Sequence, residues 1–362
     1  YSNGDQSVNV GSVSVAGIVF KNCNIEKGRG NAFVIKGSAT ANSVIIDHCT
    51  IQYNGGHGIL ILYDYTTGTI SNNIIHDNGL DSIEDNQEYS QIDGGLGNLN
   101  IFGNIISATT PNGCKCAGLL GRYCHGIYYS AGYGGDRTIP ANIYQNTVYN
   151  TGYGAGIKST GSANIYRNIV YGNNDKVIQL GQNDTTNVVF LVYSNIIYGN
   201  GLGGSDGITE QAKGSGKISL TIYNNTVYKN GGTVGHEIKI NDDMTALAIK
   251  NNIMWAADTR RTLGVVAVQT GTVNIDYNLY WRDDGAPNIR WGSNYPTWSQ
   301  WKGTYGFDIH GVNSDPLLVN AGTDFHLQPT SPAIDAGTNV GLIQDHAGIA
   351  VPQGSAPDIG AY

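Results

Sequence analysis

A short phrase that recurs along the chain constrains its fold more than any other feature. In each copy one polar slot is followed by a pair of residues of which at least one is apolar, as in Tyr193-Ser194-Asn195-Ile196-Ile197. Eight copies carry asparagine in the slot: Asn73, Asn104, Asn146, Asn168, Asn195, Asn225, Asn252 and Asn278. Two earlier copies carry Cys23 and Cys49 there. Most intervals between slots are 22 to 31 residues, a period that is typical of a repeat protein.

The residues around the slot indicate three short strands per repeat. A short apolar strand precedes the slot, an Ile/Val-rich strand follows it, and a third strand comes after a Gly-rich turn of variable length. If each repeat is one coil of a solenoid, coils stack at ~4.8 Å and the slot amides can bond to one another along the axis. Buried polar groups must be paired, so such a ladder explains the fixed phase. A β-propeller or a sandwich gives no reason for it.

The sequence therefore predicts an all-β parallel β-helix of about ten coils with an Asn ladder. We place the coils in residues 1–280 and a C-terminal coil with a cap, within the same domain, in residues 281–362. The interval of 42 residues between Asn104 and Asn146 must hold an inserted loop. Five aromatic residues near the end of the coils either stack on sugar rings or cover the open end: Trp281, Trp291, Tyr295, Trp298 and Trp301. We favour a cap, because terminal coils need covering.

Charge and hydropathy exclude some classes of partner. The net charge is −8, and no basic run is longer than Arg260-Arg261, which argues against nucleic acid. No apolar run approaches the length of a membrane span. The chain starts at Tyr1 without a signal peptide, as expected of a mature or trimmed form.

The five cysteines predict two structural contacts. Cys23 and Cys49 occupy successive slots, so their Cα atoms should lie ~4.8 Å apart, within the range of a disulfide. We expect a disulfide or a buried stack of thiols there, and favour the disulfide for a secreted protein. One further bridge is expected among Cys114, Cys116 and Cys124. No pair has C-x-x-C spacing, which argues against zinc.

The chain resembles the right-handed β-helix superfamily of secreted bacterial proteins. The resemblance covers the coils and a closing sequence that includes Asp315-Pro316-Leu317-Leu318, Ser331-Pro332-Ala333-Ile334-Asp335 and Pro357-Asp358-Ile359-Gly360. It implies a right-handed helix, a secreted or cell-surface location and a polysaccharide substrate. Pectate, alginate and chondroitin lyases, several glycosidases and uronan epimerases share this architecture, so it does not specify the reaction.

In these proteins the substrate lies along the third strand, so the outward side chains of that strand are our candidate site. By the period-2 rule they form one column: Leu60, Asp93, Tyr128, Lys158, Gln179, Thr209, Lys239 and Ala267. Its polar middle suits a sugar chain. From this column and the preceding loop we assign substrate binding to Gln179, Thr209, Lys239, Arg122 and His125.

The two longest insertions enter just before the middle of this face. The first carries Asp81, Glu84, Asp85 and Glu88, whose density fits Ca²⁺, although the spacing is not that of an EF-hand. The second, residues 110–125, carries Arg122 and His125. Loops on a rigid scaffold often carry function. Ca²⁺ is the candidate metal ion here, and we expect no organic cofactor.

Three chemical hypotheses follow for this face. In uronate lyases a Lys, Arg, His or Tyr removes the C5 proton, which makes Lys158 or Tyr128 the candidate base, with Arg122, His125 or Ca²⁺ on the substrate carboxylate. A glycoside hydrolase instead needs two carboxyl groups across one bond, and Asp93 and Glu237 are candidates. A glycan-binding or surface protein without catalysis is the third hypothesis.

Overall fold

The chain is a right-handed parallel β-helix, which confirms the predicted fold class. The computed structural model describes residues 6–10, 17–36, 43–62, 67–79, 89–95, 98–108, 124–130, 136–152, 154–201, 206–231, 235–257 and 259–362. Its strands, numbered in chain order, belong to sheet A (the third strand of each coil), sheet B (the strand before the slot) and sheet C (the strand after it). The chain divides into two compact units, residues 1–164 with 171–181 and residues 165–170 with 182–362.

The first unit contains parallel strands of all three sheets. In spatial order, sheet A has β1 (Gln6–Val10), β4 (Asn31–Lys36), β7 (Ile59–Leu62), β10 (Ile92–Gly94), β13 (Ile127–Tyr129), β16 (Ile157–Ser159) and β19 (Ile178–Leu180). Sheet B has β2 (Ile18–Lys21), β5 (Val44–Asp47), β8 (Thr67–Ser71), β11 (Asn98–Phe102) and β14 (Ala141–Tyr144). Sheet C has β3 (Asn24–Glu26), β6 (Thr50–Gln52), β9 (Ile74–His76), β12 (Ile105–Ser107) and β15 (Thr147–Tyr149).

The second unit repeats this arrangement. Sheet A has β22 (Ile208–Glu210), β25 (His236–Ile240), β28 (Arg261–Val265) and β31 (Ile289–Trp291). Sheet B has β20 (Val188–Tyr193), β23 (Ile218–Tyr223), β26 (Ala246–Lys250) and β29 (Thr272–Asp276). Sheet C has β21 (Ile196–Tyr198), β24 (Thr226–Tyr228), β27 (Ile253–Ala256), β30 (Leu279–Arg282) and β32 (Val312–Asn313). The division between the units passes through β17 (Ala163–Tyr166) and β18 (Ile169–Tyr171).

Little of the described chain is helical. An antiparallel pair, β33 (Leu318–Asn320) and β34 (Asp324–Leu327), and the six-residue helix α1 (Trp298–Gly303) belong to the second unit. Within the described residues, no helix has the length and apolar character needed to cross a bilayer. In the strands, inward Ile, Val and Leu alternate with more exposed residues, as β23 shows with its regular alternation of buried and partly buried positions.

The slot residues form the predicted inward ladder within each unit. In the first unit, Asn73 Nδ2 donates to Asn104 Oδ1 at 2.9 Å, and Asn104 Nδ2 donates to Asn146 Oδ1 at 2.9 Å. In the second unit the same bond links these residues in turn: Asn168, Asn195, Asn225, Asn252 and Asn278. The ladder residues are buried, and their amides also donate to backbone carbonyls. Within each unit, the slot amides of Asn104, Asn195, Asn225 and Asn252 therefore bond to the coils on both sides and to a backbone carbonyl.

The residue before each slot makes the corner possible. It has a positive φ near 50–60° in most coils, as at Gln145 and Ser194. Asparagine, which tolerates this left-handed conformation, holds the position at Asn72, Asn224 and Asn251. In the Asn104 coil, Gly103 occupies it, with φ +66°.

The disulfide favoured between Cys23 and Cys49 is wrong, because both thiols are free. Cys23 N donates to Cys49 Sγ at 3.4 Å, and Cys49 N donates to Asn73 Oδ1 at 2.8 Å. Both cysteines thus continue the ladder as a thiol stack, the second of the two predicted outcomes, with the sulfur as acceptor. A bridge would turn the two side chains toward each other and remove that acceptor geometry. Cys124 is disulfide-bonded, as expected, while Cys114 and Cys116 lie outside the described residues.

A second ladder, which the repeat analysis missed, occupies the corner after sheet C. Its signal was present, because Asn recurs five residues after the slot in several coils. In the first unit Asn54 Nδ2 donates to Asn78 Oδ1, and Asn78 Nδ2 to Gln91 Oε1, each at 2.8 Å. In the second unit Asn200 Nδ2 donates to Asn230 Oδ1 at 2.7 Å.

A buried carboxylate ends the first ladder of the second unit. Asn278 Nδ2 donates to Asp308 Oδ1 at 3.0 Å, and Asp308 Oδ2 accepts from Tyr280 Oη and Trp301 Nε1. Trp301 is fully buried. The chain after residue 315 packs on the outer side of sheet C, where Phe325 contacts Tyr198. Trp301 thus closes the last coil, and the chain after residue 315 covers part of the outer side of sheet C.

Replacing Asn195 by alanine should lower the free energy of unfolding by about 3–5 kcal/mol, because it leaves two buried donors of Asn168 without their acceptor and removes three donated bonds. Urea denaturation of wild type and variant measures this loss. Asn183→Ala, at an exposed position, is the matched control and should change stability by less than about 0.5 kcal/mol. Equal losses in the two variants would refute the energetic role of the ladder.

Candidate active site

The outward column of sheet A in the first unit has the register expected from the sequence. Asp93 pairs with Leu60 on one side and with Tyr128 on the other, and Tyr128 pairs with Lys158. Lys158 pairs in turn with Gln179. Tyr128, Lys158 and Gln179 are partly exposed, whereas Asp93 is only 8% exposed. The structure therefore brings together the candidate residues of this unit on one face.

Two histidines come just before strands of this face. His57 and His125 each lie two residues before the inward isoleucine of their strand, and both are buried. His57 Nδ1 accepts from Ser90 N at 3.0 Å, and His125 Nδ1 accepts from Ala155 N at 2.8 Å. Because each Nδ1 lone pair is engaged by an amide of the next coil, the neutral rings carry their proton on Nε2.

His125 and Lys158 meet above the face of Tyr128. Lys158 Nζ lies 3.5 Å from His125 Nε2 and 4.3 Å from the centroid of the Tyr128 ring. The His125 and Tyr128 rings are 5.1 Å apart. Burial and the positive charge of Lys158 hold the pKa of His125 well below its usual range. The contact thus combines a neutral imidazole with the lysine nitrogen.

His57 was not among the residues predicted for the site. Its Nδ1 lies 3.7 Å from Asp93 Oδ2, a distance compatible with an ion pair. However, burial lowers the pKa of His57 to about 4, and Nδ1 already accepts from Ser90, so the ring is neutral at pH 7. The Gly56-His57-Gly58 and His125-Gly126 sequences share one phase of the repeat, and this match could have revealed the pair.

Five predicted site residues lie outside the described residues: Arg122, Asp81, Glu84, Asp85 and Glu88. In the part of the chain that the structure describes, no three His, Cys, Asp or Glu side chains are grouped as metal ligands. Ca²⁺ binding by the acidic loop therefore stays a prediction from the sequence.

The second unit carries its own outward column. Thr209 pairs with Lys239 as predicted, but Lys239 pairs with Gly264, so the expected neighbour Ala267 is wrong. Strand β28 begins at Arg261, before the apolar pair Val265-Val266 from which its position was predicted. Leu263 is therefore the inward residue opposite Ile238.

Polar contacts link the start of two strands in this unit. Lys239 Nζ lies 3.5 Å from Asp206 Oδ2, and Asp206 Oδ1 lies 2.9 Å from His236 Nδ1. Burial raises the pKa of Asp206, but its contacts with His236 and Lys239 lower the pKa by more. The net result is a lowered pKa. Asp206 is therefore ionised and engaged by two partners.

The structure places Glu237 inside the second ladder. Its carboxylate accepts from Asn230 N and Nδ2, the latter at 2.8 Å, and the side chain is fully buried. Burial raises its pKa well above the usual range. Glu237 thus ends the ladder that runs through Asn200 and Asn230, a role that period-2 counting alone could not reveal.

Comparison with known proteins supports the fold. Residues 1–128 match the family model described as right handed beta helix region. Over 213 residues the chain is 26% identical to the uncharacterized protein YwoF of Bacillus subtilis strain 168, which covers 58% of this chain and 40% of that protein. The match thus spans less than half of the relative's length.

Among solved structures, the chain is similar to the crystal structure of pectate lyase Pel9A. The TM-score is 0.53 at 15% sequence identity, and the match covers 99% of this chain and 86% of that chain. At this identity the similarity shows the shared fold.

Replacing His57 by glutamine should flatten the dependence of stability on pH. The unfolded-state pKa of His57 is near 6.5 and the folded-state pKa is about 4, so the unfolded chain takes up a proton first as the pH falls. The stability due to a neutral His57 is complete above pH 6.5 and is lost as the pH falls toward 4. Between pH 7 and 5 wild type should lose about 2 kcal/mol more than the variant, measured by urea denaturation at each pH. Equal flattening in the control His48→Gln, at an exposed histidine, would contradict this assignment.

Proposed function

We propose that this protein is an extracellular polysaccharide lyase that cleaves an acidic glycan by β-elimination, with Lys158 as the base. The observation that carries the proposal is the contact of Lys158 Nζ with His125 Nε2 above the ring of Tyr128. The fold shared with pectate lyase Pel9A is consistent with a polysaccharide substrate and with secretion.

The orientation of His125 suits a lysine that accepts a proton. Because Ala155 N donates to Nδ1, Nε2 of the neutral ring carries a hydrogen and can only donate. Because Nε2 carries a hydrogen, it offers no acceptor to a protonated Lys158, so the contact disfavours the ammonium form and favours the free amine that a base needs. The lone pair of the free amine takes up the substrate proton, and the Tyr128 ring packs against the lysine side chain.

The proposed reaction is balanced within the substrate and the base. The amine of Lys158 takes the C5 proton of a uronate residue, and the electron pair of that C–H bond forms the C4–C5 double bond. The C4–O bond breaks, and the leaving oxygen takes a proton from an acid or from water. The negative charge that develops on the substrate carboxylate needs a cationic or hydrogen-bonding partner. Both ring nitrogens of His125 are already engaged, so Arg122 or a Ca²⁺ ion on the acidic loop would fill that role.

The described residues favour the lyase over the hydrolase, because Glu237, one of the two carboxyl groups expected for a hydrolase, is not accessible. Glu237 is enclosed in the second ladder, and Glu210 is fully buried on the inward side of β22. Asp206 is held by His236 and Lys239. Among the described residues of the outward column, Asp93 is the remaining carboxyl group, and a hydrolase needs a second one at about 5–10 Å.

A screen of acidic and neutral polysaccharides tests the function. A lyase produces both ultraviolet absorbance from the new C=C bond and new reducing ends on an acidic polymer. Parallel reactions with and without EDTA test the expected Ca²⁺ ion. Reducing ends without absorbance would replace the lyase by a hydrolase, and retention on a polymer without either signal would indicate a binding protein.

Lys158→Ala should lower turnover at least about 100-fold while the thermal midpoint stays nearly unchanged, because the lysine head group serves chemistry rather than packing. Initial rates of C=C formation measure the effect. Lys213→Ala, which removes an exposed lysine of the second unit, is the control and should retain wild-type rates. Full activity of Lys158→Ala together with an inactive Asp93→Asn variant would refute the assignment of the base.

A further inference from the structure

A cavity of ≈ 470 Å³ lies in the second unit between the end of β30, the start of β31 and the N-terminus of α1. Its walls include Arg282, Pro287, Asn288, Tyr295, Trp298 and Asn313. The volume is within the range of small-molecule sites, about 300–1,000 Å³. The candidate active site contributes none of these residues.

The aromatic run divides into two groups around this cavity. Trp301 is fully buried and packs against Trp291 and Phe307, so these rings close the last coil. Tyr295 is 56% exposed and lines the cavity together with Trp298. The first group therefore serves to close the last coil. Tyr295 takes no part in that packing.

Local contacts hold both cavity rings in place. The Arg261 guanidinium carbon lies 5.4 Å from the centroid of the Tyr295 ring, and Trp298 packs against Tyr280 at 5.3 Å between centroids. Thr297, which precedes Trp298, forms a capping box with Gln300 and so fixes the first turn of α1. A wall that is already ordered loses little conformational entropy when a ligand binds.

The polar groups of the cavity are suited to hydroxyl groups. Asn288 and Asn313 contribute amide side chains to the residues that line the cavity. Arg282 forms a two-pronged salt bridge with Asp284, so its charge is already compensated. The cavity thus combines aromatic surface with amide groups and little uncompensated charge.

We propose that this cavity binds one pyranose residue of a glycan, as a substrate-holding site separate from the catalytic face. The C–H face of the sugar packs on Tyr295 and Trp298, and the sugar hydroxyls bond to the amide side chains of Asn288 and Asn313. The arrangement of an apolar ring face with hydroxyl groups at its edge matches a pyranose. That this sugar belongs to the substrate rests on the proposed function, whereas the binding itself does not.

Calorimetric titration in the Lys158→Ala background, where the ligand is not consumed, tests the proposal. The probes are trigalacturonic acid and cellotriose, which share pyranose chemistry and differ in charge. At least one should bind and change the tryptophan emission, and Tyr295→Ala should weaken its binding about tenfold. Asn313→Ala should weaken it as well. Tyr53→Ala, which removes a tyrosine of the first unit, should leave affinity unchanged.

The outcomes separate this proposal from the catalytic one. Binding that is lost in Tyr295→Ala and Asn313→Ala supports the cavity even if no polysaccharide is cleaved. Binding of neither probe, or equal affinity in wild type and both cavity variants, overturns it even if the lyase assay succeeds. A preference for trigalacturonic acid over cellotriose identifies the sugar as a uronate, and the reverse identifies a neutral sugar.

Discussion

The hydrogen bond from one slot amide to the next is the interaction on which the rest of this structure depends. A parallel β-helix must turn a corner in every coil, and a corner interrupts the regular strand pairing that satisfies backbone groups. The Asn side chain fills that gap, since its Nδ2 bonds to the next coil and to a backbone carbonyl, as Asn195 does with Asn225 and Ile165. Ladders at two corners thus hold neighbouring coils in one register.

That register is what creates a site from residues far apart in sequence. Strand pairing places Asp93, Tyr128 and Lys158 side by side, although 35 and 30 residues separate them along the chain. The same stacking puts the amide of Ala155 against His125 Nδ1, which fixes the tautomer that faces Lys158. The stacking of neighbouring coils therefore determines which groups surround Lys158, the proposed base.

Much of this arrangement could be predicted from the repeat. The slot, the three strands of each coil and the outward positions of Tyr128 and Lys158 all follow from counting, because a regular backbone gives each phase one environment. Counting residues along the repeat placed Ala267 and Glu237 incorrectly. In the first case the strand begins earlier than its apolar run suggested, and in the second a side chain at an outward phase turns into a corner ladder. The thiol stack of Cys23 and Cys49 was one of two outcomes that spacing alone allowed.

The sequence by itself determined the fold class and which side chains share a face, because both follow from a periodicity that can be read directly from the order of the residues. Only the tertiary structure decided how these side chains interact. The neutral state of His57 and His125 depends on burial and on amides from neighbouring coils, and the cavity beside Tyr295 depends on how α1 closes against β30 and β31. Such properties arise from distances between atoms of different coils, and the order of residues along one coil does not contain them.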